Sequence, residues 1–548
     1  MRELSRKSTI LKRVLMLTMA FSGLLLAAAC AQSPTPEVVT KVETVIVERE
    51  AEPIIQVETV EVMVTVEVEK EVERIVEVTP TPLGRLYQGI EATVMTAVDS
   101  PLVELLERRA AEFQAQTGAN ITIDTATDLH QTLLTELEAE QSHVDGLVYP
   151  AQWLADFAAP GYLVDLTERV QTDETLAWND IAPFYGDISS RYGGQVYGIP
   201  LDADVYLVYY RPDVLEEIGM GPPKTWDSYL EVAGAANELD INQDGTPDFG
   251  SCMAKGEQMS TFFYAMAGPY LQFEGTEQGA FLTLDDLEPR VDNPGFRRAL
   301  ELYKETLLYS PPEELSNGLA ETRRLVLDGR CTLTIDTGVL AKLASDPEQS
   351  TVQDTLEAIV LPGASEFVDP ATGQLTACDE DLENCPFAVE EINYAPFAAD
   401  GGWIGSLNPD ADEEVQQAVY DFFVYVSAPA QSSVDVAVKP SLNPYRISQY
   451  LNRQTLVDAG MSSHASANYL SAIEETLANP NMILNVRIPQ HQRYHQESLS
   501  AVLNQYLSDD LTTDEAVAAL LEQWQAITDE VGREEQRAAY RLSLGLNP

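Results

Sequence analysis

From Gly89 to Pro150 the apolar residues fall into short runs separated by stretches with helical spacing. IEATVMTAV (Ile90 to Val98) predicts a buried strand, Pro101 to Thr117 an amphipathic helix ended by Gly118, and ANITIDTA (Ala119 to Ala126) a second strand. A helix to Glu140 follows, and then VDGLVYP (Val144 to Pro150) predicts a third strand. Strands alternating with helices predict an α/β fold with a mainly parallel sheet. In such sheets ligands sit beyond the carboxyl ends of the strands, and Asp99, Tyr149, Gln152 and Trp153 stand at that end. Farther on, VYLVYY (Val205 to Tyr210) is β-branched and aromatic enough for another buried strand. Pro212 ends that strand and pre-sets a short helix closed by Gly219, and Pro222 and Pro223 lead to Thr225 as the N-cap of a helix from Trp226.

The first eighty residues follow different patterns. Arg2, Arg6, Lys7, Lys12 and Arg13 form a basic region ahead of the apolar run Val14 to Ala29, which is short for a membrane span. The run ends in LLLAAAC and resembles the lipobox of bacterial lipoproteins, with Ala27 where leucine is usual. The resemblance implies a signal peptide over 1–29 and a lipidated Cys30. Gln32 to Pro82 is nearly all Val, Glu, Thr and Pro, with an imperfect repeat around VETV and valine at every even position from Val60 to Val68. A lone strand cannot satisfy its edges, so 30–88 reads as a lipidated cysteine followed by a spacer stalk.

Charge narrows the partners. With 88 acidic against 33 basic residues and a net charge of −55, repulsion works against nucleic acid, anionic lipid and strongly anionic ligands. Apart from Cys30, four cysteines remain, an even number that favours disulfides in an exported protein. Cys378 and Cys385 flank DEDLEN and can close a short ring, which leaves Cys252 with Cys331.

Two motifs suggest metal chemistry. DINQDGTPDFG places Asp240, Asn242, Asp244 and Asp248 around Gly245 with the oxygen spacing of half a calcium loop, but its twelfth position is Ser251 rather than glutamate; an Asx-rich turn fits equally, and any calcium would be structural. His491 and His495 lie four apart as in a zinc pair, but Gln492 stands where a zinc protease has its general-base glutamate. There is no G-x-S-x-G elbow, Walker loop or HExxH, and no cofactor other than that calcium is expected.

Five blocks in order then resemble a known family. VDGLVYPAQWLADFAAPGYLVDLTERV, GGQVYGIPLDADVYLVYYRPDVLEEIGMGPPKTWDSYLEVA and LVLDGRCTLTIDTG are followed by DGGWIGSLNPDADEEVQQAVYDFFVYVSAPAQS and RIPQHQRYHQESLSAVLNQYLSDDLTTDEAVAALLEQWQAI. They are similar to the extracellular solute-binding proteins of ABC importers, the group typified by maltose-binding protein. The resemblance implies a two-lobed periplasmic-binding-protein fold of type II, each lobe a mainly parallel sheet flanked by helices, with hinge crossings between lobes. It divides the chain into a first lobe from 89–203 and 337–455 and a second from 204–336 and 456–548, with Asp202 to Tyr206 as hinge. It implies a cleft lined by Asp99, Tyr149, Gln152, Trp153, Tyr206, Asp336, Trp403, Arg487 and Tyr494, while alternation along the strand favours the core for Tyr209 and Tyr210. Glycines 401 and 402 before Trp403 allow close backbone approach. The implied function is binding of a small polar solute, a carbohydrate above all, without turnover, and its delivery to ABC permease subunits. The implied location is outside the cytoplasm, anchored to the membrane by lipid. A secreted glycoside hydrolase and a surface adhesion lipoprotein are the alternatives.

Overall fold

A computed structural model of the chain describes residues 86–139, 141–379, 383–397 and 401–548. The expected leader, Cys30 and the Gln32 to Pro82 segment lie outside the described residues.

The chain begins with β1 (Glu91–Ala97), the helix Val103–Thr117, β2 (Asn120–Ala126), the helix Leu129–Glu138 and β3 (Gly146–Pro150). The first helix stops because Gly118 takes a left-handed conformation (φ 88°) that costs glycine nothing. β1 pairs parallel with both β2 and β3. After a small hairpin, β4 (Arg191–Tyr192) with β5 (Gln195–Val196), comes β6 (Ile199–Pro200). Residues 201–205 then carry the chain into a different sheet, which starts with β7 (Tyr206–Tyr210) and adds β8 (Phe249–Cys252), β9 (Cys331–Thr337) and β10 (Glu357–Ile359). A hairpin of β11 (Glu366–Val368) and β12 (Leu375–Ala377) precedes the return to the first sheet as β13 (Trp403–Leu407).

The two main sheets run β2-β1-β3-β13-β6 and β10-β7-β9-β8. Both are mixed. Pairing is parallel in β1–β2, β1–β3 and β8–β9, and antiparallel where β13 meets β3 and β6 and where β7 meets β9 and β10. Residues 337–455, expected as one return to the first lobe, divide instead. β10 joins the second sheet at Tyr210 to Val208, and only from β13 onward does the chain rejoin the first. Short strands carry too little sequence signal to place on one sheet or the other.

Local chemistry sets the element ends. Pro212 opens the helix Pro212–Ile218 and Gly219 closes it at φ 73°. Thr225 caps the helix Trp226–Ala236, its side chain accepting from the Ser228 backbone N–H. Disulfides join Cys252 to Cys331, stapling β8 to β9, and Cys378 to Cys385, closing the loop after β12. Among the described residues no helix is long and apolar enough to cross a membrane.

Candidate functional site

The turn after β3 and the segment from Asn485 to His495 approach each other from the two lobes. Ala151–Trp153 makes one 3-10 turn at the carboxyl end of β3 and leads into the short helix Leu154–Ala158. On the other side, Gln490 bends the chain through a left-handed conformation (φ 61°) into a π-helical stretch, Arg493–Ser500, packed against the helix Lys255–Leu271 of the second lobe. A residue other than glycine in that conformation is uncommon, and π-helical turns recur at functional sites.

Three sets of contacts tie the sides together. Asn485 Nδ2 donates to Gln152 Oε1 at 2.7 Å. The Gln490 backbone N–H donates to Asp156 Oδ1 at 2.6 Å. Arg487 donates to the carbonyls of Ile188, Ser189 and Arg191 at 3.0, 3.3 and 3.0 Å, at the end of the π-helical turn Phe184–Ser189 in the first lobe. Its guanidinium is buried, and burial pulls its pKa down to about 10. The cavity beside Gln152, Ser189, Gly401, Asn485 and Arg487 has about 10 Å³ of space, room for hardly one water.

A histidine and aromatic seam runs on from these contacts. His130 Nε2 lies 2.9 Å from the other oxygen of Asp156, and its ring meets Trp153 edge-on at 5.0 Å. His491 and His495 stack at 5.2 Å. Burial, then His495, then His130 push the His491 pKa well below its ordinary value, and burial pulls His495 down to about 4, so both rings are neutral near pH 7. Tyr264 lies against His495, Phe397 against Tyr264, and Tyr206 stacks on Phe397. Five polar atoms in the seam are buried without a hydrogen-bond partner among the described residues: Trp153 Nε1, the Tyr264 hydroxyl, Arg487 Nε, His491 Nδ1 and His495 Nδ1.

Of the residues expected in the cleft, Gln152 and Arg487 line one small cavity and make contacts between the lobes, while Trp153, next to Gln152, lies edge-on to His130. Asp99 is exposed in the turn after β1 and joins none of the contacts between lobes. Tyr149 is a core residue, its hydroxyl 2.9 Å from Ser406 Oγ and its ring edge-on to Phe157. Tyr494 is core as well, bonded to Thr528 and packed edge-on to Trp524 inside the second lobe. Strand and helix periods tell which residues share a face but not which face is the cleft, so these two tyrosines read the same from sequence whether buried or presented. Asp336 is buried and held by Arg323 through both carboxylate oxygens, at 2.7 and 2.8 Å, which commits its charge within the second lobe. Tyr206 is buried and donates to Gln258 Oε1 at 2.9 Å. Tyr209, as expected, is core and donates to the Thr337 carbonyl, and Tyr210 bonds Glu357. Trp403 is partly buried at the start of β13, paired with Pro150. The glycines before it are required. A Cβ at Gly402 (φ 77°) would stand 2.3 Å from the Asp202 carbonyl oxygen, and one at Gly401 (φ 81°) 2.6 Å from Ser189 Oγ.

In the DINQDGTPD loop the carboxylates are used internally. Asp240 accepts from the Gly245 N–H, Asp244 from Thr246, and Asp248 is buried and bonded to Arg330. Among the described residues, no group of three or more His, Cys, Asp or Glu side chains is placed to hold a metal ion. Asn485, Asp156 and His130 were missed from sequence. A lone asparagine in MILNVRIP carries no local signal, and the HQRYH spacing pointed to the neighbouring histidines rather than to any of these three.

Known proteins share this architecture. The sequence profile described as "Bacterial extracellular solute-binding protein" matches residues 108–431, more than half of the chain. A mannitol-binding protein of Pseudomonas aeruginosa is 28% identical over 313 residues, 49% of this chain and 68% of that one. A lactose-binding protein of Rhizobium radiobacter is 30% identical over 143 residues, 24% of this chain and 32% of that one. Among solved structures, an ABC transporter solute-binding protein of Agrobacterium radiobacter K84 in complex with ribitol superposes with a TM-score of 0.60 at 20% identity, over 81% of this chain and 99% of that one. The maltose-bound MalE3 of T. maritima superposes with a TM-score of 0.59 at 18% identity, over 80% of this chain and all of that one.

Proposed function

The chain belongs to the bacterial extracellular solute-binding proteins, a family of receptors rather than enzymes, and from that premise we propose that its lobes close on a small polyhydroxylated solute, a sugar or a polyol, for delivery to the permease of an ABC importer. The observation that carries this reading is the seam itself. Gln152 from the first lobe meets Asn485 from the second, Arg487 reaches the first-lobe carbonyls of Ile188, Ser189 and Arg191, and polar atoms there lack partners. Closure and binding are then one linked equilibrium, because a solute contacted from both sides favours the closed form by its differential affinity. With space for hardly one water, the seam must part to admit a solute. The relatives named for mannitol and lactose support the solute class, and the net charge of −55 disfavours strongly anionic solutes.

A thermal-shift screen against hexitols, pentitols, mono- and disaccharides and amino acids tests the reading. A polyol or sugar should raise the melting temperature by mass action; if only amino acids do so, or nothing does, the solute class is wrong.

Lipid attachment at Cys30 belongs to the same proposal, supported by the LLLAAAC pattern after a basic, apolar leader. Cys30→Ser should release the protein from membranes with solute affinity unchanged. Persistent membrane association of that variant would refute the anchor.

A further inference from the structure

The hydrogen-bond pattern around Asn485 fixes the chemistry of one buried ring. Asn485 Oδ1 accepts from the backbone N–H of Val486 at 2.8 Å, and a main-chain N–H can only donate. This orients the amide, so that Nδ2 is the group that donates to Gln152. His491 Nε2 lies 3.0 Å from the same Oδ1, so Nε2 must carry the proton. A second proton on the ring is opposed by complete burial and by the neighbouring His495 and His130. Nδ1 is therefore a bare lone pair, fully buried and without a partner.

The lock does not depend on closure. Asn485, Val486 and His491 lie on one segment of the second lobe, so the tautomer persists when the Asn485–Gln152 contact parts. Two other unpaired atoms of the seam are of the opposite kind, since Trp153 Nε1 and Arg487 Nε can only donate, and the Tyr264 hydroxyl can do either. The seam thus offers donors and an acceptor together. A carboxylate, which only accepts, would leave the His491 lone pair unpaired, and an ammonium, which only donates, would leave the indole and guanidinium N–H groups unpaired. A hydroxyl group satisfies both kinds.

We propose that His491 is a specificity-determining residue of the cleft: its Nδ1, kept bare by Asn485, accepts the hydrogen of a solute hydroxyl and disfavours a solute that sets a carboxylate in that hydroxyl's place. This rests on the sugar or polyol reading and adds the residue and the sign of the discrimination. Sites built to hydrogen-bond a hydroxyl discriminate strongly, because the wrong solute leaves buried polar groups unpaired.

The test is titration calorimetry on the full chain with D-mannitol, D-glucitol, D-glucose and D-gluconate, using wild type, His491→Gln and His491→Met. Gln and Met are similar in volume, and only Gln keeps a carbonyl acceptor. Wild type should bind a neutral solute at least about tenfold more tightly than gluconate. His491→Gln should stay within about threefold of wild type, and His491→Met should lose about tenfold or more. The ligand-free melting temperature of His491→Met should fall only slightly, because the substitution removes an unpaired buried acceptor together with the Nε2–H bond to Asn485. Neutral-solute affinity equal in Met and Gln variants, with wild type binding normally, overturns the inference and leaves the solute class standing. Gluconate bound as well as glucitol by wild type also overturns it, and this arm decides if neither variant folds. A wild type that binds no neutral solute overturns the solute reading and the inference together.

Discussion

Lys255 opens the helix that supports the seam, and its removal has a cost that follows from its surroundings. Its ammonium is fully buried and donates to Glu314 Oε1 and Thr306 Oγ1, each at 2.5 Å, over the Tyr303 ring at 4.7 Å. The other oxygen of Glu314 accepts from the Met253 N–H at 3.1 Å. Burial pushes the glutamate pKa up and the lysine pKa down, and each partner's charge opposes that shift in the other. Lys255→Met keeps most of the buried stem but leaves Glu314 as an unpaired charge in the core, at a cost of about 3–5 kcal/mol. For a folded unit of several hundred residues the melting entropy is on the order of 1 kcal/mol/K, so the melting temperature should fall by about 3–5 °C. Adding Glu314→Leu removes the stranded carboxylate and should restore most of the loss, since a buried pair replaced by apolar groups is often neutral or stabilising. Scanning calorimetry of the ligand-free single and double variants reads both effects. A single variant within 1 °C of wild type, or a double variant no more stable than the single, would refute the reasoning.

Trp153→Ala should weaken solute binding about tenfold by removing a stacking face of roughly 1–3 kcal/mol, as aromatic faces supply for other flat ligands. Because the ring is only partly buried at the seam, ligand-free melting should change little, and a loss of several kcal/mol there would make Trp153 a core residue. His495, pulled down to about 4 by burial, binds its proton less readily folded than unfolded. Its stabilising contribution is complete above about pH 6.5 and is lost as pH falls toward 4, about 3 kcal/mol in all. Melting curves across that window should slope more steeply for wild type than for His495→Phe, and equal slopes would exclude this source. Calcium should leave the melting temperature in place, because Asp248 is already committed to Arg330; a rise on titration would show that the loop gives up that ion pair.

Features fixed by local chemistry were legible in the sequence. The first three strands follow from continuous apolar runs, the helix ends at Gly118, Gly219 and Thr225 from backbone permissiveness and side-chain capping, and the cysteine pairing from one short ring. The close approach at Gly401 and Gly402 was likewise visible as a pair of glycines before Trp403. Features decided by distant partners were not legible. Asp336 faces Arg323 and Tyr494 faces Thr528 through packing that leaves no trace in local spacing. Glu357–Ile359 joins the second sheet because β7 offers an edge there, which a three-residue strand cannot announce. Asn485 acquires its role only when Gln152, 333 residues earlier, lies opposite it.

The place of β13 in the first sheet sets the order in which the two sheets can close. β13 lies between β3 and β6, and β6 has no other strand beside it. A chain threaded through a membrane from its N-terminus therefore cannot finish that sheet until residue 407 has emerged. Until then β3 presents an open edge, and the second lobe, whose four strands all precede residue 360, can pair and form its Cys252–Cys331 staple first. The interleaved order makes the first sheet, whose first strand comes earliest, the later of the two to close.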